Sequence, residues 1–220
     1  NNYLNFPMSL KVNEIYYSIQ GESTHVGRPC IFIRLTYCNL RCTYCDTEYA
    51  FYEGKNIEIP EIMAKIKQWN CNLVEVTGGE PLFQDECIDL LNELTNQNYE
   101  VLLETGGSLS ISDVPIEIVR IVDFKCPSSG MEKKNLWSIV NDLQPHDEVK
   151  FVIGDREDFD WAKEMLNKYS LNKKCSILFS PTFGKIDPSL IVEWILEGDI
   201  PVRMQLQMHK HIWESEGKGV

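Results

Sequence analysis

The sequence predicts an α/β protein built on an incomplete, splayed (β/α) barrel of about six units. Two observations lead there. Short β-branched apolar runs alternate with stretches of helical period, the order expected of parallel strands joined by helical crossovers. The chain has 220 residues, fewer than a closed eight-unit barrel takes, which is ~250. An open doubly wound sheet is the second choice for the same alternation. No repeat, linker or low-complexity tract divides the chain, so residues 1–220 are expected to form one domain.

The predicted strands, in order, are Cys30–Thr36, Leu73–Thr77, Tyr99–Thr105, Arg120–Lys125, Glu148–Ile153, Cys175–Ser180 and Val202–Gln207. Between them, Ile62, Met63, Ile66 and Trp69 recur at helical spacing, as do Cys87, Ile88, Leu91 and Leu94. Ala162, Met165, Leu166 and Tyr169 repeat the pattern. Pro60 and Pro188 suit first turns of helices, where a missing N–H loses no hydrogen bond. Residues 106–115 are short and broken, so one crossover is expected to lack a full helix.

Composition removes several function classes. The formal net charge is −12 with no block of Lys or Arg, which argues against a nucleic-acid surface but leaves room for an anionic small molecule in a locally basic pocket. No run of 18 apolar residues occurs, so no membrane span is expected. The opening NNYLNFPMSLKVN has neither the basic nor the apolar region of a secretory signal, which gives a cytosolic (cytoplasmic) expectation. Met8 is a candidate natural start, with residues 1–7 as a non-native addition ahead of it. In the cytosol, eight cysteines are expected as thiols and metal ligands, not disulfides.

Three of those cysteines fall in CNLRCTYCDT, residues 38–47, as Cys38-x3-Cys42-x2-Cys45. They could be unrelated buried thiols, but Asn39, Arg41, Thr43 and Asp46 make the segment a polar loop after a strand. A structural zinc site would want a fourth Cys or His at short spacing, and none is near. Three thiolates also suit a [4Fe–4S] cluster with one iron left open by the protein. Such an iron can chelate an amine and a carboxylate and pass on one electron. Cys30, Cys71, Cys87, Cys126 and Cys175 share no ligand spacing and read as core or incidental thiols.

With Tyr44 just before the third cysteine, this loop resembles that of the radical S-adenosylmethionine (SAM) enzymes. VEVTGGEP, residues 74–81, resembles the GGEP motif of that superfamily, whose backbone receives the cofactor's amino group. Gly78 and Gly79 permit the close approach a bound ligand requires. EIYYSIQGES (residues 14–23), CDT (45–47) and QMHKHIW (207–213) resemble segments of the 7-carboxy-7-deazaguanine synthase family. The resemblance runs from Glu14 to about Trp213. It implies rearrangement of 6-carboxy-5,6,7,8-tetrahydropterin to 7-carboxy-7-deazaguanine with loss of ammonia, on the route to queuosine. It also implies SAM, Mg²⁺, a flavodoxin-type reductant and a homodimer.

By the same resemblance, Cys38, Cys42 and Cys45 hold the cluster and Thr47 the Mg²⁺. Glu104 falls to the cofactor or substrate pocket. Tyr44, Cys45, Asp46 and Gly79 fall to the cofactor pocket. So do Asp123, Phe124 and Lys125, where only the lysine matches the usual Ser-Pro-Lys. Ser180, Pro181, Thr182 and Phe183 complete that set. Ile19, Gln20, Gly21, Glu22, Arg34, Thr77 and His209 fall to the substrate, with Arg34, Glu22 and His209 as the catalytic candidates. Chemistry supports part of this. A carboxylate such as Glu22, or an amide such as Gln20, can pair with the adjacent N–H donors of a pterin edge. Arg34, in the apolar strand CIFIRLT, needs an anion, and a substrate carboxylate would match its fork. Plainer roles remain open: Glu22 as a solvated loop residue, Arg34 in a structural ion pair, His209 as a core or surface histidine.

Two departures from the family pattern stand out: Ser23 replaces a usual glycine, and the chain continues past His209 to Val220. Two other functions are weighed against this one. A glycyl-radical activase shares the cluster loop but has no need of Arg34 or the Gln20-Gly21-Glu22 box. A noncatalytic iron–sulfur electron carrier would want a fourth cysteine and has no use for GGEP.

Overall fold

The computed structural model describes residues 9–213 and residue 219. Met8 and the chain terminus at Val220 lie outside the described residues. Nine strands form one open sheet in the order β3-β1-β2-β4-β5-β6-β7-β8-β9. Its parallel part comprises β2 (Pro29–Leu35), β4 (Leu73–Gly78), β5 (Glu100–Thr105), β6 (Val119–Asp123), β7 (Glu148–Ile153), β8 (Ser176–Pro181) and β9 (Arg203–Met204). The splayed half-barrel expected from the sequence is what forms. The last predicted strand is shorter than expected, only two residues.

Two strands went unpredicted. β1 (Ser9–Ile19) pairs antiparallel with β2, and β3 (Lys55–Glu58) pairs antiparallel with β1 at the sheet edge. β1 escapes pattern reading because its register shifts between Val12 and Glu14, so its period of two breaks midway. β3 is a short, mostly exposed edge strand with little apolar signal.

Helices α1 (Ile59–Ile66), α2 (Cys87–Asn96), α3 (Arg156–Tyr169) and α4 (Pro188–Glu197) cover the outer face, and α5 (His209–Ile212) follows β9. Pro60 and Pro188 open α1 and α4 as expected, while Trp69 lies beyond the end of α1. Asp155 caps α3, accepting a hydrogen bond from the Asp158 N–H. Two crossovers, not one, lack an α-helix: the link from β5 to β6, and the link from β6 to β7, which has only short 3-10 turns. There Trp137 fills the place of a helix. It stacks between Phe124 and Tyr169 at centroid distances of 4.6 and 4.4 Å.

Alternation along the strands separates two environments. Ile31, Ile33, Val74, Val76, Leu103, Phe151 and Phe179 point outward into one continuous core under the helices. Residues of the other parity face the barrel interior. At its lower end these are apolar, with Cys30, Phe32, Leu73, Leu102 and Ile121 packed together. Higher up the same face carries Arg34, Glu75, Thr77, Glu104, Asp123 and Lys150. Each core side chain taken from water contributes about 1.5–3 kcal/mol, so the outer core supports an inner face that is polar.

Candidate active site

The cluster loop leaves the carboxyl end of β2, the end at which barrel enzymes place their chemistry. It enters through Tyr37, whose φ of 78° is left-handed, a costly conformation for a bulky side chain. Two anchors hold it: the Tyr37 N–H donates to Ala50 O at 2.9 Å, and the Glu80 N–H donates to Tyr37 O at 2.8 Å. Thr43 docks the far side, its N–H on Ser129 O and its hydroxyl on Ser128 O.

The glycines of GGEP serve this loop directly. A Cβ on Gly79 would stand 2.3 Å from Tyr37 O and 2.7 Å from the Cys38 Cβ, so only glycine lets the two loops touch. The close approach expected for a ligand is made, in the structure, to the cluster loop itself. Glu80 is fully buried, and its carboxylate accepts hydrogen bonds from the Thr105 hydroxyl and the Gly106 and Leu82 N–H groups. That pins β4 to the end of β5.

The thiols of Cys38, Cys42 and Cys45 stand half-buried within electrostatic range of one another. Burial pushes Cys42 up to about 11 and raises Cys38, while nearby Lys125 acts the other way on both. Among the described residues no three His, Cys, Asp or Glu side chains close around a single metal ion. Thiols spaced along an open loop fit a cluster, where ligation is shared among several irons. Thr47 lies two residues on, its Oγ1 3.8 Å from the Cys45 Sγ, and its side chain does not cap the turn Glu48–Phe51 that follows.

Four buried polar atoms have no hydrogen-bond partner among the described residues: Tyr44 OH, Asp123 Oδ1 and Thr182 Oγ1 at the cluster-loop end of the barrel, and Gln205 Oε1, whose amide nitrogen instead donates to Ser23 O of the box loop. Buried polar atoms are almost always paired, so the three that gather at the cluster-loop end fit a ligand rich in donors and acceptors. Tyr44, Asp123 and Thr182 were expected in the cofactor pocket, and the adenosyl moiety of SAM suits them. Ser180 is buried at the end of β8 beside Pro181, and Phe183 stands exposed with the His211 ring 5.8 Å away. Lys125 donates to Asp123 at 2.8 Å. Phe124 corrects the expectation: it is fully buried in the helix-side core, because it is one residue out of phase with Asp123.

The Gln20-Gly21-Glu22 box begins at the end of β1, after Ile19, and crosses the lower mouth of the barrel. Thr24 and its N–H bond to Glu148 at the start of β7, and Arg28 pairs with Glu100 at the start of β5. Ser23, the departure from the family pattern, has a φ of 62°. The usual glycine is explained by that angle, and the Ser23 Oγ offsets its strain by accepting from the His25 N–H at 3.0 Å.

Glu22 is no solvated loop residue. Its carboxylate accepts from Lys150 Nζ and from Gln207 Nε2, each at 2.9 Å. Gln20 departs from expectation, since its amide faces inward. Nε2 donates to Glu75 and Oε1 accepts from the Glu22 N–H, so it shapes the box instead of offering a free amide. Arg34 projects into the interior, where Nε donates to Glu14 at 2.8 Å and Nη2 to Tyr16 OH at 3.0 Å. The anion it needs is thus supplied first by the chain. Glu104 meets Lys150 through one oxygen and Thr77 Oγ1 through the other, at 3.4 Å.

The C-terminal segment closes over the box. Met208 N–H donates to Gly21 O at 2.9 Å, Gln205 Nε2 to Ser23 O at 2.8 Å, and Lys210 reaches Asp46 of the cluster loop. His209 lies against Gly21, and burial lowers its pKa while Glu22 opposes the shift. Sequence reasoning missed Glu14, Glu75 and Lys150. Glu75 and Lys150 each interrupt an apolar strand as Arg34 does, which is the signal that marks them.

An open half-barrel with three thiols on the loop after its first parallel strand, and buried polar atoms converging on that loop, is the architecture of a radical SAM enzyme. Residues 32–121 accordingly match the profile of the Radical SAM superfamily. The chain belongs to the 7-carboxy-7-deazaguanine synthase family. It is 44% identical to the 7-carboxy-7-deazaguanine synthase of Koribacter versatilis, across 96% of this chain and 100% of that protein. Its identity to the Chlorobaculum tepidum enzyme of the same name is 43%, across 96% and 97%. The crystal structure of QueE from Escherichia coli has the same fold, with a TM-score of 0.77 at 23% identity, covering 95% of this chain and 99% of that one. As a radical SAM family member the chain is expected to carry a [4Fe–4S] cluster and SAM. No helix among the described residues is long and apolar enough to cross a membrane.

Proposed function

We propose that the chain converts 6-carboxy-5,6,7,8-tetrahydropterin to 7-carboxy-7-deazaguanine with release of ammonia, a step of queuosine biosynthesis. One observation supports this beyond family membership: a single interior brings a guanidinium, Arg34, together with two carboxylates, Glu22 and Glu104. A carboxypterin needs those two kinds of group, a cation for its carboxylate and acceptors for its N–H edge.

Bound together, the cluster and SAM supply a hydrogen-abstracting carbon radical, chemistry no side chain offers. The protein's own part is to bind, orient and exclude water. Arg34 is held by Glu14 and Tyr16 through Nε and Nη2, and its Nη1 makes no hydrogen bond among the described residues, which leaves it for the substrate carboxylate. Glu22 and Glu104 present acceptors to the pyrimidine edge. Thr77 and His209 flank them, and the segment from Gln205 to His211 shields the lower side from water. Cys38, Cys42 and Cys45 would hold the cluster. Tyr44, Asp123, Lys125, Ser180 and Thr182 would hold the adenosyl end.

Thr47 is the proposed Mg²⁺ ligand, a single hydroxyl completed by substrate oxygens and water. Chelation followed by Mg²⁺ replacement should abolish and restore turnover. A flavodoxin-type reductant and a homodimer belong to the same reading. The exposed Leu190, Val192 and Leu196 of α4 are apolar surface such a dimer could cover. The deciding experiment is anaerobic reconstitution and incubation with the carboxytetrahydropterin, SAM and reductant. One ammonia per deazaguanine is expected. Cleavage of SAM with no deazaguanine would overturn the reading.

A further inference from the structure

Lys150 lies on β7 in EVKFVI, on the inner face, only 4% exposed. Its neighbours of opposite parity, Val149 and Phe151, are in the outer core. Lysine is seldom buried without a partner, and this one has three. Nζ donates to Glu22 at 2.9 Å and to Glu104, and stands 3.8 Å from Asp123. Those acids come from three separate parts of the chain: the box loop, β5 and β6.

We propose that Lys150 is the positioning residue for substrate binding, holding Glu22 and Glu104 as an ionised, oriented pair toward the N–H edge of a pyrimidine-type substrate. This rests on the functional reading above and deepens it. The geometry carries the inference. Each acid is gripped at both oxygens, one by Lys150 and the other by a neutral donor: Gln207 for Glu22 and Thr77 for Glu104. Neither carboxylate can rotate without breaking a bond to the ammonium. Two carboxylates sharing so small a space repel, and without a cation between them one takes up a proton. A protonated carboxyl loses acceptor capacity, which is what donor-rich recognition uses. The same ammonium faces Asp123, whose other neighbour is Lys125, so the substrate acids and the cofactor side share one charge network. Burial disfavours the Lys150 cation, but Glu104, Glu22 and Asp123 together more than offset it and keep it charged.

The test uses cluster-loaded full-length protein carrying K150M, K150R, E104Q or the K150M/E104Q pair. Iron per chain and melting temperature are measured first. Then kcat and KM for the carboxytetrahydropterin are separated, and the oxidised protein is titrated with the same compound. K150M should keep its iron and raise KM and Kd by roughly tenfold or more, with kcat falling less than KM rises. K150R keeps the cation but not the contact geometry, and should recover part of the loss. The effects of K150M and E104Q should be far from additive, since one acts through the other. A merely structural lysine would lower the melting temperature and leave KM unchanged. K150R with wild-type KM overturns the proposal, whether or not K150M folds. So does additivity between K150M and E104Q. If wild-type protein neither binds nor converts the carboxytetrahydropterin, the functional reading fails and this proposal falls with it. Wild-type conversion with unaltered variants removes Lys150 alone.

Discussion

Gly21→Ala should separate the C-terminal segment from the box beneath it. A Cβ at Gly21 would sit 2.2 Å from His209 Nδ1, 2.9 Å from Cγ and 3.0 Å from the His209 Cβ. Carbon atoms pack at about 3.5–4 Å, so the ring must retreat by more than an ångström. His209 opens α5, and the adjoining residues carry the Met208–Gly21 and Gln207–Glu22 hydrogen bonds, so retreat strains both. Overpacking of this kind costs about 1–3 kcal/mol; where the segment yields and leaves the box instead of straining the fold, that cost appears as a rise in KM of roughly five- to 150-fold. The clash involves a side chain at one end of the fold and not backbone, so the melting temperature should fall only slightly. The assay is kcat and KM in the single variants and in G21A/H209A. Truncating His209 removes the two closest contacts, so adding Gly21→Ala in that background should cost little more. An unchanged KM in G21A, or the same penalty with and without the His209 ring, would refute the reasoning.

Three further outcomes follow from the site. Burial, and after it the neighbouring Glu104, push the Glu75 carboxyl up to about 8 from an ordinary value of 4.5. The folded state therefore holds that proton more tightly than the unfolded chain. This contribution to stability is complete below about 4.5 and is lost as pH rises through about 8. Glu75→Gln, neutral throughout, should accordingly gain melting temperature relative to wild type between pH ~5 and ~8, and parallel curves would count against the assignment. Arg34→Lys keeps a cation beside Glu14 but loses the fork, so kcat/KM should drop roughly ten- to a hundredfold at unchanged iron content, as loss of ~1.5–3 kcal/mol implies. Arg34→Ala is the less informative change, because Glu14 would be left with Tyr49 as its only side-chain hydrogen-bond donor among the described residues. Anaerobic reconstitution should load about four irons per chain, and the C38A/C42A/C45A triple variant should load almost none. Retention of the same iron and absorbance by that variant would sink the cluster assignment.

What the sequence by itself determined lies close together along the chain. The spacing of Cys38, Cys42 and Cys45, the Gly78-Gly79 pair and the helical periods of α1, α2 and α3 are local patterns, and a loop, a turn or one helix face needs no distant residue to be recognised. The incomplete barrel was legible for the same reason, since strand parity and chain length are both readable in one dimension. β1 was not, because a register shift in mid-strand breaks its period, nor β3, whose exposed residues carry no hydrophobic signal. Phe124 shows how little separates the two outcomes at a strand end: one residue of phase moves a side chain from the pocket to the core. Partnership was decided only in three dimensions. That Arg34 meets Glu14, that Gln20 turns to Glu75, and that one lysine joins Glu22, Glu104 and Asp123 depend on strands crossing the barrel, and ion pairing is governed by distance through space. A charge in an apolar strand announces that it has a partner, and only the folded chain says which.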